Sequence, residues 1–214
     1  MIVNIIFIFL SSKYDEHHMI SKHVYSLGKQ MTPLLKGENI VLRPMRIEDA
    51  PFIQKHFPHW EIVKNLSLQV PWPYPPDGAE NFLLHVVLPK MERGEMYGWA
   101  ICEHETPDQL IGSISYCSTD PKELRRGFWL AREYHGRGYM TQAVYLVQDF
   151  LFFQCNLPEL FFMNAVENIG SRRIKEKTGA TYVGLVDFEH LSGGKDSEVW
   201  KITREEWTAF RKTT

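Results

Sequence analysis

The sequence predicts a single α/β domain in which a mostly antiparallel sheet carries helices. Two segments, Met96 to Cys102 and Leu110 to Cys117, alternate between apolar and polar residues and predict a hairpin. The segment from Leu124 to Ala131 follows as the predicted third strand of an antiparallel meander. The third segment runs into a turn with two glycines, and an amphipathic segment begins directly behind that turn. This strand, turn and helix is the most specific arrangement in the chain.

Two elements precede the meander. The stretch from Asn39 to Met45 alternates and predicts the first strand, which Pro44 closes. Residues Glu48 to Phe57 predict a helix. Pro51 does not argue against it, because proline is tolerated in a first helical turn. Together they predict an opening strand and helix.

A proline-rich segment follows. The stretch from Val70 to Pro76 has four prolines, which hold the chain stiff and extended. Asp77, with a glutamate three residues later, has the spacing of a capping box before a helix from Ala79 to Met91. The rings of Trp72 and Tyr74 either offer flat apolar faces to a peptide or pack inward as a hydrophobic plug.

The turn behind the third strand of the meander suits an anionic ligand. Gly136 and Gly138 allow a tight bend and let a ligand approach without meeting a Cβ. The first N–H groups of the following helix lack intrahelical acceptors, so a phosphate or diphosphate fits there. The alternative is a plain strand-to-helix connection. The helix itself is predicted from an apolar stripe made by Met140, Ala143, Val147, Phe150 and Leu151.

Two nucleotide motifs are excluded at this turn. A dinucleotide fingerprint needs glycine or alanine where the chain has Thr141. A phosphate-loop NTPase needs a Gly-x-x-x-x-Gly-Lys-Ser/Thr string, which the sequence lacks.

The rest of the chain predicts three more strands and two more helices. Gly179 ends the first of these helices, and Thr203 caps the second, with a glutamate three residues later. In order, the predicted elements are a strand from Leu160 to Val166, a helix from Gly170 to Lys177, a hairpin of Tyr182 to Phe188 with Ser197 to Thr203, and a helix from Arg204 to Arg211.

Composition excludes several classes of protein. The formal charge is −2, from 24 basic and 26 acidic residues, and the basic residues are scattered, so a nucleic-acid partner is not predicted. The three cysteines form no C-x-x-C pair and the histidines are dispersed, so we predict no disulfide framework, no metal site and a reducing, cytoplasmic location. The apolar stretch from Met1 to Leu10 is too short to span a membrane. Residues 1–32 are predicted to be an extension of unknown role.

Two linked blocks resemble the GCN5-related N-acetyltransferases (GNAT), and in particular their RimJ/RimL-like branch. The turn from Glu133 to Gly138 is similar to the family's Gln/Arg-x-x-Gly-x-Gly/Ala motif, with Glu133 in place of the leading Gln/Arg. The stretch from Asn164 to Gly179 is similar to the branch's Glu-Asn-x-x-Ser-x-x-x-x-Glu-Lys-x-Gly-Phe motif, with Ala180 in place of phenylalanine. The resemblance implies a GNAT domain over residues 33–214. It also implies a mixed, mostly antiparallel sheet of about seven strands, splayed at an acetyl-CoA site, with helices on both faces.

The resemblance implies which residues bind acetyl-CoA as a co-substrate. The pantetheine arm would lie along the third strand of the meander, the diphosphate would meet the bend and the first helical turn, and the second block would contact the arm near the sulfur. The implied residues are Phe128, Trp129, Leu130, Gly136, Arg137, Gly138, Tyr139, Met140, Asn168 and Ser171.

Two residues are candidates for catalysis. Many relatives place a tyrosine where this chain has Lys175, so the resemblance implies Ser171 as the proton donor to the thiolate. Glu189 lies in the final hairpin at a place similar to a glutamate in RimL-like enzymes, which implies a general base there. Glu123 is held in reserve as an alternative base.

The resemblance implies a direct acetyl transfer to an amine, most simply the α-amine of a protein N-terminus. A small-molecule amine, such as an antibiotic or a polyamine, is the alternative acceptor. A non-catalytic module that binds acyl-CoA is the alternative from another functional class. No membrane partner is predicted, and either a monomer or a homodimer is compatible with the sequence.

Overall fold

The structure is a computed structural model, and it describes residues 31–117 and 125–213. Strands and helices are named below in chain order. The strands are β1 (Leu35–Lys36), β2 (Ile40–Pro44), β3 (Met96–Glu103), β4 (Gly112–Cys117), β5 (Arg125–Leu130), β6 (Glu159–Ala165), β7 (Thr181–Asp187) and β8 (Asp196–Thr203). The α-helices are α1 (Ala50–His56), α2 (Trp60–Val63), α3 (Gly78–Phe82), α4 (Leu88–Glu92), α5 (Tyr139–Asp149), α6 (Ile169–Lys177) and α7 (Arg204–Arg211).

The strands form two antiparallel sheets. One has the order β1-β2-β3-β4-β5, and the other has the order β6-β8-β7. The predicted meander is confirmed, because Trp99 of β3 pairs with Ile114 of β4, which pairs in turn with Phe128 of β5. The facing edges β5 and β6 lie side by side, but they belong to different sheets and share no ladder. We call the space between these two edges the seam.

Helices cover both faces of the five-stranded sheet, as predicted. Alternate residues of β2 and β3 point to opposite sides. Leu42 and Trp99 are buried against α5, whereas Val41 and Ala100 are buried in a second cluster beneath α1 and α3. Both layers are apolar, so β3 is buried along nearly its whole length.

The predicted caps had different outcomes. The capping box of α7 is confirmed, because Thr203 Oγ1 accepts from the Glu206 amide at 3.2 Å and Glu206 Oε2 accepts from the Thr203 amide at 2.7 Å. The predicted capping box at Asp77 is wrong, because the Asp77 side chain makes no cap hydrogen bond. Gln54 Oε1 accepts from the Ala79 amide instead, at 3.0 Å. A contact from α1 therefore replaces the local cap.

The predicted helix from Ala79 to Met91 exists but is interrupted. Its first part, α3, passes through a π-helical turn, Leu83–Val87, before α4. A similar turn, Phe150–Gln154, extends α5. Pro89, in the first turn of α4, has no N–H to bond back to the π-helical turn, so the regular hydrogen-bond ladder is interrupted before α4. Strand β1 and helix α2 were not predicted, because two and four residues are too short to show a period.

The two aromatic rings of the proline-rich segment have different surroundings. Tyr74 is half-buried with its ring edge-on to Phe57, at 5.4 Å between centroids, and burial raises the pKa of Tyr74 to about 12. Trp72 is exposed and lies 5.4 Å from the ring of Trp60, which is also exposed. The segment therefore anchors one ring and presents another.

The N-terminal boundary of the domain remains a prediction. Residues 1–30 of the predicted extension lie outside the described part of the chain. Thr32 Oγ1 accepts from the Gly98 amide, and the Pro33 carbonyl accepts from Trp99 Nε1 at 2.7 Å, so the chain is already attached to β3 there. Within residues 31–117 and 125–213, no helix is long and apolar enough to cross a membrane.

Candidate active site

The bend between β5 and α5 has the conformation that its glycines predict. Gly136 and Gly138 have φ angles of 78° and 80°, in the left-handed region that only glycine enters without strain. Gly138 is the N-cap of α5, and the Gln142 amide is bonded to its carbonyl. A Cβ built on either glycine would meet no atom within 4 Å. The bend is therefore open, and the first amides of α5, including those of Tyr139 and Met140, have no intrahelical acceptor.

The side chains around the bend contact the five-stranded sheet. The Tyr139 hydroxyl donates to Glu103 Oε1 at 2.6 Å, and Arg137 Nη1 lies 3.7 Å from the same oxygen. Met140 is buried in the core, so only its main chain faces the bend. Arg137 is about half exposed, which makes its ion pair weak enough to exchange for a bound anion.

The edge of β5 offers main-chain groups to the seam. The Ala131 amide donates to the Ile111 carbonyl at 2.8 Å, on the β4 side. Because main-chain groups alternate along an antiparallel strand, those of Phe128 and Leu130 point away from β4 and into the seam, whereas those of Trp129 face β4. His135 Nε2 lies 2.8 Å from the Leu130 carbonyl. Of the two residues, Phe128 is therefore the one whose outward main-chain groups have no hydrogen bond from a described side chain.

Trp129 serves the opposite face of the sheet. The Trp129 ring lies edge-on to Phe57, at 5.4 Å between centroids. Phe57 also packs edge-on against the ring of Tyr74. Both the main chain and the side chain of Trp129 are therefore directed away from the seam. The strand places Phe128 and Leu130 together at the seam but not Trp129.

The second predicted block forms the start of α6. Asn168 is its N-cap, and Asn168 Oδ1 accepts from the Ser171 amide at 3.0 Å. Capping thus occupies this oxygen and leaves the amide nitrogen of Asn168 for another partner. Ser171 is 9% exposed, and Ser171 Oγ accepts a hydrogen bond from Lys175 Nζ at 2.7 Å, one turn along the helix.

Lys175 is an unusual lysine because it is only 1% exposed. Burial, together with repulsion from Arg126, lowers the pKa of Lys175 well below its ordinary value, while Glu198 acts in the opposite direction. Its ammonium also lies 5.9 Å from the centroid of the Phe128 ring. Ser171 and Lys175 therefore face the β5 side of the seam.

A buried carboxylate stands on the β6 side. Glu198 Oε2 accepts from Asn164 Nδ2 at 2.9 Å, and Arg172 pairs with Glu198 Oε1 at 2.5 Å. Burial alone would raise the pKa of Glu198, but hydrogen bonds from Arg172 and Asn164 bring it below its ordinary value. Glu198 was not predicted from the sequence as a site residue. The signal that could have indicated it is a glutamate at an inward position of an alternating strand.

Glu189 does not join Ser171. It is exposed in the loop between β7 and β8, where it lines a shallow cavity of about 270 Å³ with Asp187, Phe188 and Lys195. Among the described residues, the polar groups bonded to Ser171 come from Asn168 and Lys175. The catalytic role of Glu189 stays a prediction, and the reserve candidate Glu123 lies outside the described residues.

Metal ligands are not gathered at this site. Within the described part of the chain, no group of three or more His, Cys, Asp or Glu side chains is arranged to hold a metal ion. The described groups at the seam include main-chain amides of β5, the Ser171 hydroxyl and the charged side chains of Lys175 and Glu198.

Comparison with known proteins agrees with this geometry. The sequence pattern of the family described as "Acetyltransferase (GNAT) domain" matches residues 39–181. A protein of Bacillus subtilis (strain 168), named "Probable N-acetyltransferase YjcK", is 27% identical over 156 residues, which are 71% of this chain and 86% of that protein.

Solved structures share the fold at lower identity. A RimL ribosomal L7/L12 α-N-protein acetyltransferase in complex with coenzyme A superposes with a TM-score of 0.69 and 13% identity, over 80% of this chain and 98% of that one. The microcin C7 self-immunity acetyltransferase MccE, in complex with acetyl-CoA and AMP, gives a TM-score of 0.66 and 16% identity, over 78% and 93% of the two chains.

The family match and the fold agree with the open bend, the split between the sheets and the two linked sequence blocks. Enzymes of this family use acetyl-CoA as the acetyl donor. The chain belongs to the GNAT family of N-acetyltransferases.

Proposed function

We propose that this acetyltransferase moves the acetyl group of acetyl-CoA directly to the α-amine of a protein N-terminus. The observation that carries the proposal is the open glycine bend at one end of a seam whose strand edge is unpaired. Acetyl-CoA supplies a thioester that an amine can attack and a thiolate that must leave. The chain's own residues position these groups and move the protons.

The donor side of the seam follows from the main chain. The free amides at the start of α5 hold a diphosphate through their N–H groups and the positive end of the helix dipole. The outward groups of Phe128 then bind an extended arm as an added strand would bind it. Arg137 adds a charge-assisted contact when it turns from Glu103 to the diphosphate.

Ser171 and Lys175 provide a route for the proton that the thiolate takes up. Lys175 Nζ donates to Ser171 Oγ, so the serine hydroxyl is free to donate its own proton elsewhere. A lysine with a lowered pKa gives up a proton more readily than an ordinary lysine, which suits Lys175 to resupply the serine. This pair takes the place of the tyrosine that many relatives use.

A peptide acceptor is favoured over a small amine by the opposite face of the sheet. Phe57 packs on Trp129, and the exposed rings of Trp60 and Trp72 follow at the surface. Such flat, partly apolar rings suit a peptide segment. Similarity to RimL, a protein acetyltransferase by its description, agrees with this choice. Similarity to MccE keeps a small-molecule acceptor as the alternative.

The acceptor class is testable with a panel of amines. We expect peptides with a free N-terminus to be acetylated with a kcat/KM at least about tenfold above that of polyamines or aminoglycosides, a difference of about 1.4 kcal/mol. Release of the CoA thiol gives the rate. The same peptides carrying an N-terminal formyl group are the control and should be inert. Turnover of small amines alone would replace the peptide acceptor with the alternative.

The glycine bend is testable by its effect on acetyl-CoA affinity. Gly138→Val places a Cβ in the open bend and strains the backbone, so we expect the affinity for acetyl-CoA, measured by calorimetry, to fall at least about tenfold. Gly193→Val is the matched control, because Gly193 also has a left-handed φ, of 85°, and open surroundings in the β7–β8 loop. Equal losses in both variants would show that strain, and not the bend, explains the result.

Ser171 is testable by kinetics. A positioned proton donor contributes about 10²–10⁴-fold, so Ser171→Ala should lower kcat by that range while the affinity for acetyl-CoA stays within a few-fold. The exposed Ser192→Ala is the control and should keep the wild-type kcat. An unchanged kcat in Ser171→Ala would exclude the serine as the proton donor.

Lys175 is testable through the pH dependence of stability. Its folded pKa lies below the unfolded value of about 10.4, so between these values the unfolded chain binds a proton that the folded chain does not. The free energy of unfolding of the wild type should therefore rise with pH, relative to that of Lys175→Met, as the pH approaches the unfolded pKa of about 10.4 from below. Urea unfolding at several pH values measures this. Lys177→Met, on the exposed side of α6, is the control. Parallel curves for the wild type and Lys175→Met would contradict the lowered pKa.

A further inference from the structure

Arg126 is a buried cation whose hydrogen bonds are largely unmade. It is 7% exposed, and its Nη1 donates to Gln148 Oε1, a neutral acceptor, at 2.8 Å. Its Nε and Nη2 are buried and have no hydrogen-bond partner within residues 31–117 and 125–213. The guanidinium lies 3.9 Å from the centroid of the Phe162 ring, and burial lowers the pKa of Arg126 to about 9. An arginine in such surroundings is costly unless something else binds it.

The two unpartnered nitrogens form one edge of the guanidinium. The N–H groups on Nε and Nη2 point in the same direction, and this parallel pair matches the two oxygens of a carboxylate. Gln148 occupies the opposite side of the group through Nη1. The vacant edge is thus the one that binds carboxylates with two hydrogen bonds.

A second cation lies near Arg126 among the described residues. Arg126 is close enough to lower the pKa of Lys175, and both side chains approach the ring of Phe128. Among the described residues, Glu198 is a carboxylate that acts on Lys175, and it already accepts from Arg172 and Asn164. A further anion would therefore be attracted here, because the charge of Glu198 is already paired with other groups.

The position of Arg126 along β5 indicates that such an anion would be part of a molecule bound in the seam. Going from the bend along the strand, the residues whose main chain faces the seam are Leu130, Phe128 and Arg126 in turn. Arg126 is about 13 Å from Leu130 at the rise of an extended strand. If the bend holds the diphosphate, the reactive end of the donor is directed towards Arg126, with Ser171 and Lys175 beside it.

We propose that Arg126 and Lys175 form a subsite for a carboxylate located next to the reacting centre. The inference rests on the proposed function. The carboxylate belongs either to the acceptor, as the side chain of an N-terminal Asp or Glu, or to the acyl chain of the donor. In both cases the fork of Arg126 binds the two oxygens, and the Lys175 ammonium adds charge.

The test compares ligands that differ only in the carboxylate. The acceptor pair is two peptides that begin with Glu or Gln, compared by kcat/KM, and the donor pair is succinyl-CoA and butyryl-CoA, compared by calorimetric Kd. We expect the wild type to prefer the carboxylate-bearing member of one pair by about 10- to 100-fold, the usual strength of a hydrogen-bonded charged group. The pair that shows the preference identifies the source of the carboxylate.

Variants assign this preference to Arg126. Arg126→Met should reduce the preference at least about tenfold, Arg126→Lys should retain part of it, and the exposed Arg132→Met is the control that should keep it. The wild-type comparison needs no variant, so a folding defect in Arg126→Met leaves the test intact.

Two results would overturn the subsite. One is the absence of a preference in either pair, and the other is a preference that survives Arg126→Met. Binding of butyryl-CoA or turnover of the Gln peptide without a preference would leave the proposed acetyl transfer standing and remove only the subsite. Failure of the wild type to bind any acyl-CoA would instead remove the proposed function.

Discussion

The missing ladder between β5 and β6 is the constraint on which the rest of the site depends. Two strand edges lie side by side, yet each pairs only with its own sheet, so polar main-chain groups of Phe128 and Leu130 face the seam and not a partner strand, and of these the Leu130 carbonyl contacts His135 Nε2. Unpaired buried main-chain groups are costly and are usually satisfied. A ligand that binds like a strand satisfies them, and the helices that follow each edge, α5 and α6, then lie at its two ends. Under the proposed function, the split in the sheet fixes both where acetyl-CoA lies and which helix starts it meets.

Stability is reduced in the same place. Arg126, Lys175 and Glu198 are all buried around the seam, and only Glu198 is fully hydrogen-bonded by its neighbours. Apolar residues of similar volume at Arg126 and Lys175 would stabilise the fold more, because burying two like charges is unfavourable. A fold that keeps them retains a positive field at the end of the seam before any ligand arrives. Such preorganised charge is what stabilises a bound anion or a departing thiolate without further rearrangement.

The sequence predicted the parts of the fold that are encoded locally. The meander, α5, α6, α7 and the final hairpin each have a clear period or a cap, and the left-handed glycines of the bend follow from backbone geometry alone. Short elements such as β1 and α2 have no period to detect. The failed cap at Asp77 has a different cause, since Gln54 reaches across from α1, and a contact between separate elements leaves no trace in a spacing rule. The division into two sheets is likewise a matter of tertiary packing.

The buried charges escaped prediction for a more instructive reason. Arg126 and Lys175 occupy inward positions of a strand and a helix, and a local pattern assigns charged residues at such positions to the surface. Only the packing of Phe162 and Gln148 around Arg126, and of Ser171 beside Lys175, shows that both are inside. Disagreement between local pattern and burial is where function is expected. Ser171 takes part in both a predicted and an unpredicted feature. Its amide donates to the predicted cap residue Asn168, and its hydroxyl accepts from Lys175, whose burial was not predicted. The predicted start of α6 therefore positions Ser171, and Ser171 in turn positions the buried Lys175, whose burial was not predicted.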